Sequence, residues 1–105
     1  MLRIYDTMIH ALRMLRPAIE QIERSDRDLG NQLRRRAASV ALNLAEGSGS
    51  RGGIRNVRYR TALGSVQETA ACIDVAMALG YVETVDPELG RSIESVRRVL
   101  VRLVA

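Results

Sequence analysis

The sequence predicts an all-α fold, an antiparallel up-and-down bundle of four helices. Three observations predict it. Apolar residues recur at alternating steps of three and four along four separate stretches. No stretch of useful length alternates with the period of two that a half-buried strand requires. The breaks between the four stretches are short and built from Gly, Asp, Ser and Pro, so consecutive helices pack as antiparallel neighbours. The 105 residues suffice for one domain around one core, and residues 1–105 read as a single four-helix unit.

Helix 1 carries Met8, Leu12, Leu15, Ile19 and Ile22 on its apolar stripe, with Asp6 or Thr7 available to cap its start. Pro17 falls inside it, removes one backbone donor and predicts a bend there. The segment Arg24–Asp28 reads as a turn, with Ser25, Asp26 or Asp28 as the next N-cap. Helix 2 is expected from about Leu29 to Glu46, with Leu33, Ala37, Val40 and Leu44 inward. Residues 47–53, Gly-Ser-Gly-Ser-Arg-Gly-Gly, then supply a flexible turn. Helix 3 shows the longest register, Tyr59, Leu63, Val66, Ala70, Ile73 and Met77, and Gly80 ends it. Asp86-Pro87 is a cap followed by proline at the first helical position. It opens helix 4, whose stripe is Leu89, Ile93, Val96, Leu100 and Leu103.

Composition narrows the class. Apolar residues make up 47% and charged ones 27%, a globular balance. The longest apolar stretches, Ala37–Ala45 and Ala70–Leu79, fall well short of the roughly 20 residues that span a bilayer. No secretory leader is visible, so a cytoplasmic protein without membrane contact is expected. Cys72 is the sole cysteine and lies in an apolar run, which predicts a buried, inert thiol in a reducing compartment. Those two apolar stretches exceed what one stripe per helix buries, which predicts contact with other subunits and hence a homo-oligomer.

Chemistry-bearing motifs are few. Residues 47–52 match the dinucleotide fingerprint G-x-G-x-x-G letter for letter, but a helix precedes them where that fingerprint needs a strand, so nucleotide binding is rejected. His10 is the lone histidine and no cysteine pair exists, which excludes zinc sites and leaves no metal or cofactor expected. Glu46 and Glu68 stand in otherwise uncharged stretches, without a nucleophile, base or metal to act with. They read as structural, and the chain reads as no enzyme.

The basic residues are more informative. All 16 are arginine. Between residues 34 and 60 seven of them face only Glu46, a local balance of +6, while the remaining nine stand against eleven acids. Arg34, Arg35, Arg51, Arg55, Arg58 and Arg60 are the candidates for phosphate contacts, converging on one end and side of the bundle through antiparallel pairing. Arg91, Arg98 and Arg102 are expected to matter less, because Glu88 and Glu94 offset them. Only Tyr5, Tyr59 and Tyr81 are aromatic, so binding should read backbone more than bases.

Gln32-Leu-Arg-Arg-Arg-Ala-Ala-Ser39-Val40-Ala-Leu-Asn43-Leu-Ala45-Glu46-Gly47 resembles the signature of bacterial four-helix-bundle proteins first noticed in intervening sequences of large-subunit ribosomal RNA genes. Ala62-Leu-Gly64-Ser65-Val-Gln-Glu68 resembles that family's second signature, and Leu79-Gly80-Tyr81 its helix end. Ala41 departs from a common proline and Arg36 from a small residue. The resemblance spans about residues 26–82 and implies a ring-like homo-oligomer, a pentamer, without enzyme activity. The resemblance also implies kinship with accessory proteins of diversity-generating retroelements, which act with nucleic acid and a reverse transcriptase.

Ser39, Asn43, Glu46, Gly64, Ser65 and Glu68 are assigned structural or interface roles. Gly64 in mid-helix predicts close helix approach. Asn43 with Glu46, and Ser65 with Glu68, share a three-residue spacing on neighbouring helices, and their side chains are placed to join across the helix pair or a subunit boundary. The function expected is RNA or DNA binding through arginines. The alternative is an interaction scaffold whose arginines serve subunit or protein-partner contacts.

Overall fold

The computed structural model describes residues 2–105. Among them are four α-helices and no strand: α1 Arg3–Ser25, α2 Arg27–Ser48, α3 Gly52–Ala78 and α4 Pro87–Val104. Packing runs around the bundle, α1 on α2, α2 on α3, α3 on α4 and α4 back on α1. The α2–α3 pair is the most extensive of these contacts. The long axis measures 42 Å and the cross-section 24 × 20 Å. Among the described residues no helix is long and apolar enough to cross a membrane.

The core is the expected set with local revisions. Met8, Leu15, Ile22, Leu33, Val40, Leu44, Val66, Leu89, Val96 and Leu100 are fully buried. α1 starts one turn earlier than its caps predict, because Ile4 also belongs to the core. Burying that side chain is worth about 2 kcal/mol, more than the cap of about 1 kcal/mol that helix extension forgoes. Asp6 consequently lies in the first turn, and the Thr7 hydroxyl donates back to the Arg3 carbonyl. α1 is unbroken through Pro17, which is exposed.

The turn expected over residues 24–28 shrinks to Asp26, whose carboxylate accepts from the Leu29 N–H at 2.9 Å. Of the three candidate caps Asp26 is therefore the one used, and α2 begins at Arg27. α2 also outlasts its expected end. Gly47 is helical and buried, because a Cβ there would lie 2.7 Å from Cδ1 of the Tyr59 ring. This glycine serves close approach, and the flexible turn contracts to Gly49–Arg51.

The stripe expected on α3 is half right. Tyr59, Val66 and Ile73 are buried, Leu63 and Ala70 are half-buried, and Met77 is 40% exposed. The buried face instead swings toward α2 and is lined by small residues, Ala62, Ser65, Thr69, Cys72 and Ala76. Gly80, at φ +76°, ends the helix. Its N–H bonds to the Met77 carbonyl at 3.0 Å, and the Tyr81 N–H reaches the Ala76 carbonyl at 2.9 Å. Asp86 caps α4 by accepting from the Glu88 N–H, as expected. Leu103, placed on the α4 stripe by its spacing, lies 39% exposed at the last turn, where Val104 packs against the core instead.

Candidate nucleic-acid interface

The α2–α3 seam fixes where the arginines go. Ser39 and Ser65 meet through their hydroxyls at 2.9 Å, and the Asn43 side-chain amide donates to both the Ser39 carbonyl and its hydroxyl. On one side of this contact Arg36 pairs with Glu68 at 2.8 Å. On the other, Arg58 pairs with Glu46 at 2.9 Å. The α2 members, 36, 39 and 46, step forward by three and seven. Their α3 partners, 68, 65 and 58, step back equally, so these are rungs of one antiparallel register. Ser39, Glu46, Ser65 and Glu68 thus join the helix pair. Asn43 turns back on its own helix, and the glutamates take arginines across the seam.

Gly64 makes no close approach within the chain. A Cβ built there meets nothing within 4 Å, so no other helix of this chain approaches it. It belongs to a second stripe on α3, outside the bundle: Ile54, Val57, Thr61, Gly64, Glu68, Ala71 and Val75, again stepping by three and four. Ile54, Val57 and Val75 are 65%, 59% and 45% exposed, and Leu42 on α2 is 64% exposed. Ala41, inside the apolar run expected to be in excess, is buried in the core instead.

The six candidate arginines do not form one cluster. Arg34 pairs with Glu23 of α1, on the flank of α2 away from α3. Arg35 is exposed and lies about 20 Å from the 49–51 loop at 1.5 Å per residue. Convergence fails for these two because α2 turns successive side chains by 100° to different flanks. The other four do gather. The Arg55 guanidinium donates to the carbonyls of Gly47 and Ser50 at 3.3 and 2.8 Å, neutralising the C-terminal end of α2. Arg60 donates to the Val104 carbonyl of α4 at 3.4 Å. Arg51 has no ion-pair partner among the described residues, and Arg58 is held by Glu46.

The Arg60–Val104 contact adds residues that the 34–60 window omits. It brings the end of α4, with exposed Arg102, against the start of α3. Antiparallel packing on α2 brings the start of α1, with exposed Arg3, to the same end. Arg102, expected to matter less, is not offset as its sequence neighbours suggest, because Glu88 pairs with His10 and Glu94 with Arg97 and Arg98. No local signal marks Arg3, which is flanked by apolar residues and separated from the window by a whole helix.

Other chemistry is sparse. No group of three or more His, Cys, Asp or Glu among the described residues is placed to hold a metal ion. Cys72 is buried, and burial with the nearby Glu68 charge pushes its thiol pKa up. Within the G-x-G-x-x-G stretch, Gly47 and Gly52 lie in different helices, so the loop has no strand-to-helix geometry.

A family model described as 23S rRNA-intervening sequence protein matches residues 2–102, extending the resemblance through helices 1 and 4. No curated protein and no solved structure matches the chain.

Proposed function

Because the chain belongs to the family of 23S rRNA-intervening sequence proteins, we propose that it is a non-enzymatic, cytoplasmic homo-oligomer that binds nucleic acid, RNA before DNA, through phosphate contacts from arginines. The observation that carries this reading is the loop end of the bundle. There Arg51, Arg55 and Arg60 have no carboxylate partner among the described residues. Guanidinium groups in such a setting suit phosphates, and the buried Tyr59 offers no stacking surface.

Self-association is supported by the second stripe of α3, where Ile54, Val57 and Val75 are exposed around the open notch of Gly64. The pentameric ring is what the family resemblance implies. A titration of the purified protein against labelled structured RNA, with light scattering on the same sample, tests both parts. Salt-sensitive binding by a particle several times 11.6 kDa is the expected result. No binding at about 50 mM salt removes the first part, and a monomer at micromolar concentration removes the second.

One observation favours the alternative of a scaffold for a protein partner, such as a reverse transcriptase. Arg34, Arg36 and Arg58 are already engaged in ion pairs within the chain. The RNA titration separates the two readings.

A further inference from the structure

Folding sorts the charge along the 42 Å axis in a way no linear window reveals. One end comprises residues 3–9, 42–60 and 98–104. It carries seven arginines against Asp6 and Glu46, a balance of +5. The opposite end comprises residues 19–33 and 72–86, where seven carboxylates face only Arg24 and Arg27, a balance of −5. The body between holds seven arginines against Glu68, Glu88 and Glu94, the remaining +4 of the chain. Such a gradient turns a polyanion toward one pole before contact.

At the basic pole two of the seven arginines are spoken for, Arg58 by Glu46 and Arg98 by Glu94. Five are not. Arg3 and Arg102 are exposed without an ion-pair partner among the described residues, as is Arg51. Arg55 and Arg60 touch only backbone carbonyls. These five come from α1, the loop, α3 and α4, so they ring an end 24 × 20 Å across rather than lining a groove. No exposed aromatic ring accompanies them, since Tyr59 is buried and Tyr5 half-buried. Unpaired bases would find no exposed aromatic platform to stack on. A double helix needs no such platform, and it presents one phosphate per about 1.7 Å of axis, twice the density of a single strand.

We propose that the ligand is a double-helical region of nucleic acid, bound end-on across this pole, with Arg3 and Arg102 as phosphate-binding residues beside Arg51, Arg55 and Arg60. The proposal rests on the nucleic-acid reading above and adds the place, two residues and the duplex form.

The test titrates the full chain with a labelled 24-base-pair RNA duplex of scrambled sequence, and with either strand alone, over a salt series. Five phosphate contacts predict a slope of log affinity on log salt of about −4 to −5. The paired variant Arg3→Gln with Arg102→Gln should flatten that slope by about 2 and weaken binding tenfold or more at roughly 100 mM salt. Two controls remove the same charge elsewhere, Arg13→Gln with Arg16→Gln in the body, and Arg24→Gln with Arg27→Gln at the acidic pole. Each should change affinity by about twofold or less, with helicity and particle size of every variant followed by circular dichroism and light scattering.

Parent binding with equal weakening by all three pairs overturns end-on docking while leaving nucleic-acid binding intact. Single strands bound as tightly as the duplex overturn the duplex assignment alone. A parent that binds neither form at about 50 mM salt removes the underlying reading, and this one with it.

Discussion

Two glycines on facing helices should respond to the same substitution with opposite signs. In Gly47→Ala the new methyl group falls on the Tyr59 ring, nearest Cε1 and 2.7 Å from Cδ1. The ring is 5% exposed, so it has no free end to swing aside. Overpacking of this kind costs about 1–3 kcal/mol, and the better helix propensity of alanine returns up to about 1 kcal/mol. The net expectation is a loss of about 1–2 kcal/mol, or a Tm lowered by roughly 4–16 °C in a domain of this size. In Gly64→Ala the methyl group meets nothing within 4 Å, so only the propensity gain of up to about 1 kcal/mol remains for the isolated bundle. Urea unfolding followed by circular dichroism measures both, each at a concentration where light scattering shows the parent's particle size. A Gly47→Ala variant as stable as the parent would refute the claim that this glycine exists for the Tyr59 contact. Gly64→Leu extends the comparison, because a bulky side chain on the outer stripe should split the oligomer while leaving helicity intact.

The hydroxyl rung is expected to be worth little more than one hydrogen bond. Ser65→Ala should cost about 1 kcal/mol in the same assay, and a loss above about 3 kcal/mol would mean that Ser65 does more than meet Ser39. Glu94 gives a pH signature. Hydrogen bonds from Arg97 at 2.9 and 2.5 Å, with a longer one from Arg98, hold its carboxyl at about 2, below the usual 4.5. A lowered folded pKa contributes stability that is present above the unfolded value and lost as pH falls through the folded one. The Glu94 carboxyl should therefore titrate near 2 by NMR, and Glu94→Gln should reduce the loss of stability between about pH 4.5 and 2. Titration of Glu94 near 4.5 would show that the fork is not held in solution.

The bundle was legible because α1, α2 and α4 each bury one stripe of large side chains, and a period of three and four marks such a stripe directly. α3 was less legible for a physical reason. Its true contact with α2 uses Ala62, Ser65, Thr69, Cys72 and Ala76, small residues that admit the neighbouring backbone and whose hydroxyls count as polar in any hydropathy reading. Its outer side meanwhile carries Ile54, Val57 and Val75. Hydrophobicity is thus nearly even around this helix, and periodicity cannot say which side faces inward. Helix ends were misplaced where a tertiary contact outweighed a local signal, as when Ile4 prolonged α1, and where Gly47 serves the approach of Tyr59 and not a helix stop.

The arginine-rich middle proved to be two systems with different duties. The seam pairs Arg36–Glu68 and Arg58–Glu46 register α2 against α3, and their partners lie 32 and 12 residues apart, so a charge count along the chain does not reveal the pairing. The carboxylate-free arginines of residues 51–60 lie at one pole, where Arg3 and Arg102 of the outer helices join them, while Arg35 stands exposed on the body. Distribution along an axis also ties assembly to binding. Closure of a ring by rotation about an axis parallel to the bundles carries every basic pole to the same face. Each subunit then adds its +5 to one surface, and a duplex lying on that surface meets several poles at once. Dihedral stacking would instead divide the poles between two faces. The salt slope per particle therefore reports symmetry as well as contact. A slope much steeper than the five contacts of a single pole requires that poles share a face, whereas a slope near −4 to −5 at any particle size means that each duplex engages one pole alone.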